Sequence, residues 1–236
     1  MSLLDKDGKP VPKPVVVAIC IPAGDQCATG FAYDLAKLVG FMAAACPTVR
    51  ILAYLNRGTI LPEQRHQLVR QALAHDDLTH ILWLDSDMRF PKDALIKLLG
   101  HGVPIVGANY ATRRAPVIPT TTVGTEGELL FSAPEDTDLV DITRMGMGLM
   151  LVSAEVYKTI PAPWFAVGYN KTEDAYAGED VFFCNAAHRA GFDVLVDPSL
   201  SREVAHLGEF EYKMHHAEVT RDHWLAEHQK EVTHGT

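Results

Sequence analysis

Two aspartates close an apolar run in Ile81-Leu-Trp-Leu-Asp85-Ser-Asp87-Met-Arg-Phe-Pro91. Four apolar residues suffice for a buried strand. If the chain stays extended past them, alternate side chains share a face, so Asp85 and Asp87 point one way and Ser86 the other. Two carboxylates held side by side repel unless a cation lies between them. All-oxygen donors suit Mg²⁺ or Mn²⁺, and a hard cation fixed there would neutralise a diphosphate. Pro91 suits the first turn of a helix over Lys92–Leu99, where its missing N–H costs nothing. The Asp-x-Asp pattern alone carries little, because Asp5/Asp7 and Asp136/Asp138 repeat it. The first copy lies in a polar, Pro-containing leader and the last in a Pro-Glu-Asp-Thr-Asp loop. Only the middle copy stands between a strand and a helix, where ligands gather on open α/β sheets.

The elements that must position this pair can be read from hydrophobic periodicity. Val15–Ile21 is a continuous β-branched run, the pattern of a strand buried on both faces. It ends at the turn cluster Pro22-Ala-Gly-Asp25. A helix follows from about Thr29, a plausible N-cap, with Phe31, Leu35, Leu38, Val39 and Met42 on one stripe. Val49–Leu55 is a second strand and Pro62–Ala74 a second helix. Arg65 falls beside that helix's inward stripe, so it needs an anionic partner. The alternatives are an ion pair with an acid such as Asp85, a stem that snorkels to water, or a contact to the nucleotide or the metal-bearing acids. After Ile81–Leu84 and its helix, Val103–Ala108 is a further strand. The order βαβαβαβ predicts a parallel, helix-covered sheet.

Beyond Asn109-Tyr110-Ala-Thr-Arg113-Arg114 the pattern changes. The two arginines could face phosphates or merely be solvated. Val117–Val123 and Glu128–Phe131 flank Gly124-Thr-Glu-Gly127, a hairpin signal, and Leu139–Arg144 reads as a third short strand. Met145-Gly-Met-Gly148 leads into Leu149–Val152, and Ser153 caps a short helix, Ala154–Thr159. Trp164, Phe165 and Tyr169 stand in an irregular stretch. Gly178-Glu179-Asp180 opens a helix to Ala190, with acids in its first turn as the helix dipole favours. Phe192–Val196 is a short strand, and Val204-Ala-His206-Leu-Gly208 follows. Residues 1–13 read as a flexible leader, 14–212 as one domain and 213–236 as a helical tail.

Bulk properties narrow the classes. The 236 residues fit one domain, with 47% hydrophobic and 22% charged residues as in a globular protein. The net charge of −9 disfavours broad nonspecific nucleic-acid binding while leaving room for a local basic patch. No apolar run approaches the roughly 20 residues of a membrane span, so no membrane insertion is expected. The start does not resemble a signal peptide. The four cysteines lack metal-site spacing; reduced thiols and a cytoplasmic setting are the expectation.

Taken together, Asp85-Ser-Asp87, Gly146-Met-Gly148, Glu179-Asp180 and His206, in this order, resemble the GT-A fold of nucleotide-sugar-dependent glycosyltransferases. The size is closest to small stand-alone members of bacteria and bacteriophages. The resemblance spans about Val15 to Gly208. It implies a Rossmann-like α/β fold with a mainly parallel sheet flanked by helices and a β-hairpin insertion around 115–145. It also implies transfer of a sugar from a nucleoside-diphosphate sugar, a UDP-sugar foremost, to an acceptor hydroxyl, with Mn²⁺ or Mg²⁺ as cofactor. Asp87, Asp85 and His206 would serve the metal, Asp87 as a direct ligand, Asp85 by binding a metal-bound water or the ribose, and His206 as a further ligand. Asp25, Arg65, Ser86, Gly146 and Gly148 would serve the nucleotide and donor sugar. Asp180, beside Glu179, would be the catalytic base, and Trp164 and Tyr110 would border the acceptor. A modified base in DNA is one acceptor that viral relatives suggest. No arginine-rich motif follows the helix ending at Gly191, which implies single rather than processive transfer. Competing readings are a sugar-phosphate nucleotidyltransferase, against which the absence of a basic residue in Pro22–Asp25 counts, and a non-catalytic sugar-nucleotide-binding module.

Overall fold

The β-branched run at the start forms β1 (Val15–Ala23), an inner strand of the sheet buried along almost its whole length. The computed structural model describes residues 14–113, 117–171, 174–209 and 214. The expected leader, Arg114 and all of the expected tail helix except Met214 lie outside them. Parallel to β1 run β2 (Val49–Arg57) on one side and β3 (His80–Leu84) on the other. The chain reaches them through α1 (Thr29–Ala45) and α2 (Leu61–Leu73). Ala28, not Thr29, is the N-cap of α1; its backbone N–H donates to Ser86 O at 3.0 Å, tying the helix start to the aspartate turn.

After β3 come β4 (Met88–Arg89), α3 (Ala94–Gly100) and β5 (Ile105–Gly107). The glycine turn joins β6 (Thr122–Val123) to β7 (Glu128–Leu129) as an antiparallel hairpin. Gly124 and Gly127 have φ of 64° and 73°, which L side chains resist. The third expected strand of the insertion is β8 (Val140–Asp141), and it belongs to the main sheet instead. Then follow β9 (Leu149–Ser153), α4 (Ala154–Thr159), the hairpin of β10 (Gly168–Asn170) and β11 (Ala175–Ala177), and α5 (Glu179–Arg189). The chain continues through β12 (Leu195–Val196), α6 (Pro198–Ser201) and β13 (Ala205–His206). Among the described residues, no helix is long and apolar enough to cross a membrane.

The seven-stranded sheet has the order β2-β1-β3-β9-β5-β12-β8. It is mixed rather than wholly parallel: β9 inserts antiparallel between β3 and β5, and β8 is antiparallel at the edge. Alternation along β1 sends Val16, Ala18 and Cys20 to one face and Val17, Ile19 and Ile21 to the other. The first face packs on α2, α4 and α5, the second on α1, α3 and α6. Because β9 runs backwards, its start lies at the same sheet edge as the end of β3, where Asp85 N–H donates to Gly148 O at 3.0 Å. Residues from 85–87 and 146–148 therefore meet at one edge.

Candidate active site

The extended backbone of β3 stops at Leu84. Asp85-Ser86-Asp87 is a turn closed by Met88 N–H to Asp85 O at 3.1 Å. The two carboxylates consequently do not share a strand face as alternation predicts: each has its own partners. Asp85 Oδ1 accepts from Arg65 Nη2 at 2.9 Å, and Arg65 Nε donates to Glu179 Oε1 at 3.1 Å. Arg65 is 1% exposed and its guanidinium lies over the Trp83 ring, 5.2 Å from the centroid. Burial disfavours its charge, but Asp85 and Glu179 more than offset this and hold it protonated. Of the alternatives the sequence left open, Arg65 takes the protein's own acids. It is buried beneath the turn and lines neither cavity. Glu179 is likewise buried in this triad, away from the cleft surface that a catalytic acid needs.

Asp87 faces outwards. Its Oδ2 lies 2.7 Å from Arg113 Nη1 and 3.6 Å from His206 Nε2. Burial pushes its carboxyl up, but the neighbouring His206 imidazole and the Arg113 charge outweigh it and hold the group below the ordinary aspartate range. The backbone fixes this neighbourhood: β13 pairs with β4, His206 opposite Met88, and Leu207 N–H donates to Asp87 O at 2.8 Å. The other ring nitrogen, His206 Nδ1, is 3.1 Å from Ala111 O, and the ring meets Tyr110 edge-on at 5.1 Å. That leaves Nε2 as the nitrogen directed to Asp87.

Among the described residues no three His, Cys, Asp or Glu side chains form a ready-made metal cluster. Asp87 Oδ2 and His206 Nε2, 3.6 Å apart, make a carboxylate–imidazole pair at this turn. Such a pair fits a Mg²⁺ or Mn²⁺ ion that draws its remaining ligands from phosphate and water, since these ions are held by few protein groups at phosphate sites. Asp85 is engaged by Arg65 and does not complete the pair directly.

Two adjoining cavities share Arg113 and His206 as wall. One, of about 330 Å³, is lined by Pro22, Gly24, Gln64, Asp85, Ser86 and Asp87. The other, of about 690 Å³, is lined by Tyr110, Thr112, Thr120, Gly146, Asp180 and Glu209. Asp180 stands in the first turn of α5, its Oδ1 accepting from Val181 N–H at 2.7 Å. Burial, then the neighbouring Glu179 charge, push its carboxyl above the usual aspartate value. Gly146 and Gly148 have a different reason for being glycine than donor contact. A Cβ at Gly146 would overlap the Tyr110 hydroxyl, and one at Gly148 would lie 2.9 Å from Met88 Sδ and Tyr110 Oη. The Gly148 N–H donates to that hydroxyl at 3.0 Å. The pair makes the seat of Tyr110, which borders the larger cavity.

Trp164 is not brought to either cavity. Its indole N–H donates to Tyr157 O and Ile160 O at 3.1 and 3.0 Å, and its ring stacks on His66 at 4.9 Å. Asp25 follows β1 near the smaller cavity but is exposed and ion-paired with Arg57. The sequence did not single out Gln64, whose Nε2 donates to Ala23 O and Asn56 O at 2.7 and 2.8 Å and joins the ends of β1 and β2. Nor did it single out Thr120, which lines the larger cavity with a buried hydroxyl that has no hydrogen-bond partner among the described residues. Arg113 was ambiguous as a loop arginine; its place just past the end of a strand at the ligand edge was the usable signal.

No protein-family model matches the sequence, and no curated protein does. Solved structures match in fold. GalNAc-T7 with UDP, GalNAc and Mn²⁺ aligns with a TM-score of 0.52 at 10% identity, over 86% of this chain and 46% of that one. A mutant of Drosophila β1,4-galactosyltransferase 7, in complex with manganese, UDP-Gal and xylobiose, aligns with a TM-score of 0.51 at 11% identity, over 83% and 71%. S. aureus TarS in complex with UDP-GlcNAc gives 0.49 at 12% identity, over 85% and 60%. This chain thus spans about half the length of GalNAc-T7 and somewhat more of the other two. The α/β architecture with its seven-stranded, mostly parallel sheet is the GT-A glycosyltransferase fold.

Proposed function

We propose that this chain is a glycosyltransferase that moves a single sugar from a nucleoside-diphosphate sugar, a UDP-sugar foremost, to an acceptor hydroxyl. The observation that carries this reading is the convergence of Asp87 and His206, 3.6 Å apart, on the wall between two cavities, with Asp180 in the second cavity. The strand-end setting is where open α/β sheets collect ligands.

In this reading Asp87 and His206 hold Mn²⁺ or Mg²⁺ in the smaller cavity. The ion, when bound, supplies positive charge to the leaving diphosphate. Ser86 and the Pro22–Gly24 turn border the nucleotide. Asp180 accepts the proton of the acceptor hydroxyl; its raised pKa makes its carboxylate form a stronger base than an ordinary aspartate's. Tyr110, locked by Gly146 and Gly148, shapes the acceptor side. Arg65 acts through others: it fixes Asp85 under the turn and Glu179 under the helix start, which sets the spacing of the two halves.

The test is calorimetric titration with UDP and a panel of UDP-sugars, with and without Mn²⁺. Binding by the unaltered chain that needs Mn²⁺, and its loss in Asp87→Ala, is the expected result. Binding that is indifferent to Mn²⁺ and to Asp87 would remove the metal from the reading. No binding of any nucleotide sugar would end it.

A further inference from the structure

The reaction described above leaves one charged side chain at its centre without a role. Arg113 Nη1 lies 2.7 Å from Asp87 Oδ2, the same oxygen that faces His206 Nε2. Its side chain is 49% exposed, yet it is seated. The stem rests against Gly208, where a Cβ would come within 3.1 Å of Arg113 Cδ and 3.3 Å of its Cβ and Cγ. The guanidinium also reaches Leu207 O at 3.4 Å. Arg113 lines both cavities, so its head forms part of the partition between them.

The oxygen that a metal ion would take is therefore already held by a cation. A guanidinium and a divalent ion at bonding distance from one carboxylate oxygen repel each other strongly, so one must give way. A guanidinium matches phosphate oxygens as well as carboxylate oxygens, in the same forked geometry. With half its surface in solvent, Arg113 can turn without unpacking a core.

We propose that Arg113 is a donor-responsive latch. Before the donor binds it balances the charge of Asp87 and closes the partition. When a diphosphate arrives with its ion, Arg113 releases Asp87 to the ion and transfers to a phosphate oxygen. The side chain thus makes metal binding depend on the diphosphate, so that the ion enters with the donor rather than alone. This inference rests on the glycosyltransferase reading.

The experiment measures Mn²⁺ alone, and UDP in saturating Mn²⁺, by calorimetry on the full chain and two variants. Arg113→Met removes the competing cation and the phosphate contact together. Mn²⁺ alone should bind roughly three- to tenfold more tightly, as expected for a half-exposed ion pair, while UDP in Mn²⁺ should bind more weakly by a similar factor. Opposite signs in one variant are the signature. Gly208→Ala crowds the seat but keeps the guanidinium, so Mn²⁺ alone should again bind more tightly with UDP affinity retained. Arg113→Met with unchanged or weaker Mn²⁺ binding, or with unchanged UDP binding, would overturn the latch. If the unaltered chain binds UDP with Mn²⁺ and these signs are missing, only the latch falls. If it binds neither, the latch and the enzyme reading fall together.

Discussion

Asp180 shows how one side chain can be poised by its surroundings. The start of α5 favours a negative charge, yet burial and the adjacent Glu179 carboxylate prevail and raise its pKa. A raised folded-state pKa means that the protonated form is the better tolerated one. This group's contribution to stability is present below the unfolded value, about 3.9, and is lost as pH rises through the folded value. Asp180→Asn should therefore melt at or above the unaltered protein's temperature at pH 7.5, while transfer falls by about 10²–10⁴-fold and donor binding persists. The acidic limb of kcat/KM in the unaltered chain should lie above the ordinary aspartate value. A clear fall in Tm would reassign Asp180 to the fold, and equal turnover would remove it from the chemistry. That Asp180 opens a helix, and that His206 comes near Asp87, were expectations the sequence carried through the order of these residues along the chain. The fates of Glu179 and Trp164 could not be read from it. Pairing with Arg65 and donation to two carbonyls are tertiary facts with no periodic trace.

Arg65 acts at the scale of elements, joining α2 to the end of β3 and the start of α5. Removing it leaves the buried Glu179 and the partly buried Asp85 without their cation. Arg65→Met should destabilise the chain by about 3–5 kcal/mol, read from urea unfolding. Arg65→Lys should recover only part of this, since one ammonium cannot reach both acids with a planar fork. A loss under about 1 kcal/mol for Arg65→Met would mean that the acids relax to water and that the triad does not set the site's spacing. The glycine seat is a second coupling between elements. Gly146→Ala should cost about 1–3 kcal/mol through overlap with Tyr110. Combined with Tyr110→Phe, it should cost less than the sum of the two single changes, by more than the ~0.5 kcal/mol of ordinary additivity. Additive losses would show that Tyr110 is not what fills the space. Helix and strand positions followed from apolar spacing, but strand direction did not. A buried strand reads the same in either direction, so β9 was not recognisable as antiparallel. Asp34 escaped for a related reason. It lies within the inward stripe of α1, buried and ion-paired with Arg89, where periodicity expects apolar residues.

Across the whole molecule, the sheet order gathers pieces from distant parts of the chain at one edge. The turn after β3, the glycines before β9, the start of α5 and strand β13 all arrive there. Most of the architecture was legible because buried strands and amphipathic helices alternate. The 109–145 region was legible as a hairpin with a further short strand and as carrying Arg113 at the ligand edge, but the contribution of Thr120 to the larger cavity was not. Ligand binding at such an edge should stabilise the folded chain as a whole. With UDP and Mn²⁺ at about one hundred times the dissociation constant, linkage gives about 2.7 kcal/mol. For a domain of this size each kcal/mol raises Tm by about 2–4 °C, so the expected shift is roughly 5–11 °C. Excess EDTA should abolish it. Asp87→Ala separates a binding effect from a folding one. Its ion pair with Arg113 is partly exposed, so losing it should cost at most about 1 kcal/mol and move the unliganded Tm by only a few degrees. The shift on adding UDP and Mn²⁺ should vanish in that variant. A shift of equal size in EDTA, or an undiminished one in Asp87→Ala, would mean that the nucleotide is held without the carboxylate–imidazole pair.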